Sequence, residues 1–192
     1  MIRVAVVGDI GSGKSFVAKL FGYPVFNADQ EVSNLYKKDK KCYTTLKKKL
    51  PKFIFSFPIK KSEILSAIVS DKNNLKKIIK IVHPMVHSKM KKFIKKNKSK
   101  KILILDIPLL IENKINKKND IIIFIKAKKK EIDKRIKKRN NYNEKIIRKF
   151  KRLQLPVELK KKKADYIINN NFRVNDVKKS VKNILKKILF YA

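Results

Sequence analysis

Residues 8–15 read Gly-Asp-Ile-Gly-Ser-Gly-Lys-Ser, and three of the chain's four glycines, Gly8, Gly11 and Gly13, lie within them. Glycine tolerates backbone angles that a Cβ forbids, so a loop rich in it can turn successive N–H groups toward one anion. The apolar run before the octet predicts a strand, and the pattern after it predicts a helix whose positive end faces the same point. Lys14 can then reach β- and γ-phosphates, and the Ser15 hydroxyl can sit on Mg²⁺. An ordinary strand–turn–helix corner is the plain alternative, but it needs neither the glycine spacing nor the Lys-Ser pair. Asp9 sets a negative charge inside this loop; the pattern leaves its position free, so its side chain is expected to point outward.

The remaining candidates are read by residue type. Asp29 in "VFNAD" and Asp106 in "LILDIPLL" follow or end predicted strands. Both should reach the carboxyl edge of a parallel sheet, where ligands bind. A carboxylate there can accept a proton from an attacking hydroxyl or steady a metal's water shell, though strand-end aspartates also cap helices. The chain has six arginines, and Arg135, Arg139, Arg148 and Arg152 fall within eighteen residues. In a chain that uses lysine for nearly all other positive charge, this favours bidentate phosphate contacts over an arbitrary Arg/Lys choice. Arg135 and Arg139 are four apart and share a predicted helix face. A helical pair carrying them suits a lid that excludes water from a triphosphate. His83 and His87 are also four apart, but without a third ligand they define no metal site; "HP" suits a helix start with Pro84 in its first turn.

Positioning these residues requires a sheet. Ile2–Val7, Pro24–Asn27, Lys101–Leu105, Ile121–Lys126 and Tyr166–Asn169 are short, continuously apolar runs. Such runs mark parallel strands covered on both faces. Helical patterns cover Ser15–Phe21, Glu131–Arg139, Asn143–Leu153 and Asn175–Leu189. The last repeats Val177, Val181, Ile184, Leu185, Ile188 and Leu189 at helical spacing, as core packing requires. Between the second and third strands, Gln30 to Lys100 reads as helices broken at "LPKFIFSFPIKKSE", far more chain than a simple crossover needs. The expected organisation is a single α/β domain with a five-stranded parallel sheet flanked by helices in three layers. Its core comprises 1–29, 101–127 and 164–192, its helical substrate-binding insert 30–100 and its lid 128–163.

Composition narrows the setting. The 192 residues include 52 Lys plus Arg and 15 Asp plus Glu, a net charge of +37, with 43% hydrophobic residues. That hydrophobic content excludes a disordered chain. The charge attracts polyanions in general, but lysine is spread along the whole sequence, as on solvated helix faces. One cysteine, Cys42, excludes an internal disulfide and fits a reducing compartment. No run approaches the ~20 apolar residues of a membrane span, and no leader pattern precedes the octet. A cytoplasmic monomer without membrane or specific nucleic-acid partners is expected.

Read in order, "VVGDIGSGKS", "NAD", "HP", "LDIPLLIE", the R-x-x-x-R of the lid, "LQLP" and "ADYIINNN" resemble the dephospho-coenzyme A kinase family over nearly the whole chain. The resemblance implies a P-loop kinase fold like that of nucleoside-monophosphate kinases. It implies transfer of the ATP γ-phosphoryl group to the ribose 3′-hydroxyl of dephospho-coenzyme A, the last step of coenzyme A biosynthesis, with ATP and Mg²⁺. Gly11, Ser12, Gly13, Lys14, Ser15 and Phe16 would then wrap the ATP phosphates, Ser15 on the Mg²⁺. Asp29 would be the catalytic base. Arg139, with Arg135, would stabilise the transferring phosphoryl. Asp106 would lie near acceptor and metal, a candidate second metal contact, and His83 with Pro84 in the coenzyme-binding region. The chain departs from the family pattern at Val7, Asp9, Asn27 and Phe150. Two alternatives share the phosphate loop: a kinase for another small acceptor, such as a nucleoside monophosphate, and a basic P-loop ATPase or nucleic-acid-binding protein. Against the second, no interleaved aromatic pattern for base stacking is present.

Overall fold

A computed structural model describes residues 1–138 and 142–190. Five strands, β1 (Ile2–Gly8), β2 (Val25–Asn27), β3 (Ile102–Asp106), β4 (Ile121–Lys126) and β5 (Tyr166–Asn169), form one parallel sheet in the order β2-β3-β1-β4-β5. All five apolar runs are strands, within a residue or two of the expected bounds. Burial on both faces explains their composition. On one face Val4, Val6, Ile102, Ile104, Ile123, Ile125 and Ile168 pack under α1 (Lys14–Leu20) and α9 (Val174–Phe190), which contribute Val17, Ala18, Val177, Val181 and Ile188. The alternate residues Ala5, Val7, Leu103, Leu105 and Phe124 are equally buried on the other face.

The chain divides into two compact units. The first, residues Met1–Asn27, Asn97–Asn143 and Ile147–Ala192, holds the sheet together with α6 (Lys129–Lys137), α8 (Val157–Lys162) and most of α7 (Glu144–Lys151). At its amino edge, Arg3 and Asp120 form a buried ion pair of 2.8 Å, and Asp120 also accepts the Lys117 N–H.

The second unit is Ala28–Lys96 with Glu144–Ile146. It contains α2 (Ala28–Lys38), α3 (Lys40–Lys49), α4 (Lys61–Ser70) and α5 (Lys72–Lys96). Asp39 caps α3 by accepting the Cys42 N–H, and the Asn74 amide ties α5 to the Ala67 carbonyl of α4. The "LPKFIFSFPIKKSE" break is the α3–α4 connection, where Glu63 accepts the Phe55 and Ser56 N–H groups. One expectation fails here. Pro84 does not open a helix but lies inside α5, a 25-residue helix that runs through His83 and His87. The "HP" signal is local, whereas Leu75, Ile78, Val82 and Met90 continue one buried stripe across it. Among the described residues no helix is long and apolar enough to cross a membrane.

Candidate active site

Because the strands are parallel, all five carboxyl ends meet at one edge: Gly8, Asn27, Asp106, Lys126 and Asn169. The phosphate loop leaves β1 at that edge and feeds α1. Gly11 and Gly13 adopt φ of 85° and 91°, angles that side chains disfavour. A Cβ on Gly13 would collide with the Asn170 amide, and one on Gly11 would lie 2.9 Å from Ile136 Cγ1. Both glycines are therefore required twice, by conformation and by the close approach of neighbouring chain.

Lys14 is buried, and its ammonium donates to the Asp9 carbonyl at 2.8 Å and the Gly8 carbonyl at 3.2 Å. This folds the cation back over the loop it would share with a phosphate. The Ser12 hydroxyl is fully buried within the same loop with no hydrogen-bond partner. Asp9 is half-buried. Its carboxylate accepts the Ile10 N–H at 2.8 Å, and the residue lines a cavity of about 230 Å³ with Phe124, Ala127, Ile132 and Asp133. A short aspartate side chain can in this way satisfy a neighbouring loop N–H.

Across the sheet, register pairs Asn27 with Asp106 and Asp106 with Val6. Asp106 is only 2% exposed, and its carboxylate accepts from the Asn27 amide, which also reaches the Ser15 hydroxyl at 3.4 Å. Ser15, Asn27 and Asp106 thus form one chain of polar groups at the first turn of α1. Hard oxygen donors in small number suit Mg²⁺, which keeps most of its shell from water and phosphate. Among the described residues no group of three or more His, Cys, Asp or Glu is placed to hold a metal ion.

The β5–α9 connection braces the loop from behind. Asn170 is buried; its amide donates to the Ser12 carbonyl at 2.7 Å and its carbonyl accepts the Phe172 N–H at 2.9 Å. From the sequence, neither Asn170 nor Phe172 was expected at the site; the only signal is the Asn169-Asn170-Asn171 run, since asparagine mimics a turn with its own side chain. From the other side, Ile132 and Ile136 of α6 pack on Gly11. Arg135, on the same helix, places its guanidinium 4.5 Å from the Phe172 ring centroid.

The other candidates are placed as follows. Phe16 is exposed at the third position of α1. Asp29 is exposed in the first turn of α2, in the second unit, two residues along the chain from Asn27. His83 is half-buried on α5, and burial holds its pKa below the usual histidine value. Arg139 lies outside the described residues. Two residues unremarked in the sequence are buried beside the site's elements: Lys160 of α8 lies 3.6 Å from Glu112, whose carboxylate also accepts the Leu155 N–H.

Comparison with known proteins agrees with this architecture. A solved structure of TT1252 from Thermus thermophilus superposes with a TM-score of 0.77 at 26% identity, covering 97% of each chain. Dephospho-CoA kinase from Campylobacter jejuni, at 22% identity and a TM-score of 0.64, shares the fold over 97% of this chain and 96% of its own. In sequence, dephospho-CoA kinase of Bartonella quintana is 32% identical over 97% of both chains. That of Wolbachia pipientis wMel is 33% identical over 96% of this chain and 97% of its own. The family model for dephospho-CoA kinase matches residues 2–176. With that match running from the first strand into the last helix, the chain belongs to the dephospho-CoA kinase family.

Proposed function

We propose that the protein transfers the γ-phosphoryl group of ATP to the ribose 3′-hydroxyl of dephospho-coenzyme A, giving coenzyme A and ADP. The observation that carries this reading is the phosphate loop, with Lys14 and Ser15 at its exit, in a chain of this family. N–H groups of Gly11 to Phe16 face the phosphates, and Lys14 exchanges its two loop carbonyls for phosphate oxygens. Ser15 and Asp106 would hold Mg²⁺, which would supply charge neutralisation at the phosphates. Asp29 accepts the proton of the 3′-hydroxyl as that oxygen bonds to the γ-phosphorus and the bond to the ADP oxygen breaks. Arg135 and Arg139 offset charge on the transferring group, and His83 contributes to acceptor binding from the helical unit. Positioning and charge neutralisation therefore supply most of the catalysis. A single, buried cysteine, Cys42, fits action in a reducing compartment such as the cytoplasm.

The test is ADP release from ATP and Mg²⁺ with dephospho-coenzyme A, AMP or CMP as acceptor, or with none. Stimulation by dephospho-coenzyme A alone, with coenzyme A as product, is expected; equal release without acceptor refutes the assignment. In the same assay Asp29→Ala should lower kcat far more than it weakens ATP binding, and near-normal turnover would remove the base role.

A further inference from the structure

Phe172 is a non-glycine residue with φ of 64°, in a conformation that costs an aromatic residue energy. The surrounding bonds hold it there. Asn170 accepts its N–H, Asn171 accepts the next N–H at 3.0 Å, and the Asn171 amide is in turn fixed on Asp176. Its ring edge faces the phosphate loop: a Cβ on Gly13 would lie 3.5 Å from Phe172 Cε1. Its face carries the Arg135 guanidinium at 4.5 Å.

Arg135 stands three residues after Ile132 and one before Ile136, the pair that seats α6 on Gly11. Its backbone is thus anchored on the loop, while its long side chain is exposed to solvent and free to rotate in the absence of a contact. We propose that Phe172 is a positioning residue: its ring holds the Arg135 guanidinium beside Gly13, so that this charge is in place before nucleotide arrives. Strain at Phe172 is then the cost of presenting a flat π-face where a glycine would satisfy the backbone better. Preorganising a flexible cation removes an ordering cost from nucleotide binding. The proposal rests on Arg135 being a nucleotide ligand.

The test uses the full-length enzyme, with steady-state kinetics and thermal melts on Phe172→Gly, Phe172→Leu, Phe172→Tyr, Arg135→Met and the double variant Phe172→Leu/Arg135→Met. A merely structural ring predicts that Phe172→Gly melts lower. Here it should melt at the same temperature or higher, because glycine accepts the backbone angle, while the KM for ATP rises by about three- to thirty-fold, the range for an Arg–aromatic contact. Phe172→Tyr should restore the KM, and Phe172→Leu should add nothing to Arg135→Met. An unchanged KM in Phe172→Gly, or full additivity in the double variant, overturns the proposal. If Arg135→Met itself leaves the KM for ATP unchanged, the reading of Arg135 as a nucleotide ligand falls together with this one. An impaired Arg135→Met without coupling removes only the role of Phe172.

Discussion

Lys160→Met is the most informative single perturbation of the framework around the site. The side chain is 1% exposed, and its ammonium has one carboxylate, Glu112 at 3.6 Å, and one amide oxygen, that of Gln154 at 3.4 Å. Glu112 is itself only 8% exposed. Methionine matches the length and apolar stem of lysine, so little volume is lost, but Glu112 is left as a buried negative charge beside the Leu155 N–H. Breaking a buried pair in this way costs about 3–5 kcal/mol. For a chain of this size each kcal/mol shifts the melting temperature by roughly 2–4 °C, so a fall of about 6–20 °C is expected. Adding Glu112→Gln removes the orphaned charge yet keeps an oxygen for the Leu155 N–H, and should recover more than half of the loss. Circular-dichroism melts of the wild type, both single variants and the double variant form the complete cycle. If Lys160→Met melts within about 3 °C of wild type, or the double variant is no more stable than the single, the pair is not the anchor between α8 and the segment after β3.

Asn170→Ala removes the bond that ties the β5–α9 connection to the phosphate loop at the Ser12 carbonyl, together with the acceptor of the Phe172 N–H inside that connection, and leaving a carbonyl and an N–H unpaired should cost about 2–4 kcal/mol in urea denaturation; Asn170→Asp should be worse for ATP affinity, since it sets a carboxylate against the Ser12 carbonyl. Gly13→Ala combines a disfavoured φ of 91° with a collision at Asn170, so ATP binding measured by calorimetry should be lost while the far-ultraviolet spectrum is kept. Cys42 is fully buried, and desolvation, with Asp39 beside it, pushes its thiol up to about 11; a thiol reagent at pH 8 should label it only as fast as the α3 region opens, and immediate labelling of native protein would contradict this. Burial lowers the pKa of His83, so the unfolded chain takes up its proton first as pH falls. Stability should therefore rise with pH through the interval just below the unfolded value of ~6.5 and level off above it, and His83→Gln should flatten that slope.

What could be read in advance follows from where each signal resides. The five strands are legible because double-sided burial writes continuous apolar runs, and the phosphate loop because a chain with four glycines places three of them there. Strand order is a matter of pairing between distant segments and leaves no local trace. The continuation of α5 through Pro84 is likewise invisible to a rule that reads proline as a boundary; its helix is held by a buried stripe on both sides. Lys160 stands in a run of four lysines, and nothing in composition separates the one that packs against Glu112 from the three in solvent or at its margin. Asn170 and Phe172 act on the loop from some 158 residues away in sequence, where no spacing argument reaches. The loop pattern constrains the glycines and the Lys-Ser pair while saying nothing of the Asp9 side chain, which bonds the Ile10 N–H.

The sheet order bears on how the protein is made. Strand β1 lies between β3 and β4, so Ile2 has no partner until Ile102 has been synthesised, and Val4 none on its other side until Ile121. The helices of Ala28–Lys96 make their contacts with one another and can consolidate meanwhile on the ribosome, which shortens the effective loop that β1 and β3 must close. The phosphate loop leaves the ribosome long before Asn170, yet it is finished only when Asn170 emerges to bond the Ser12 carbonyl. A nascent chain that has not reached β5 and Asn170 therefore carries the full octet without the brace that shapes it, and competence to hold ATP waits on a residue made 158 positions after the loop it supports.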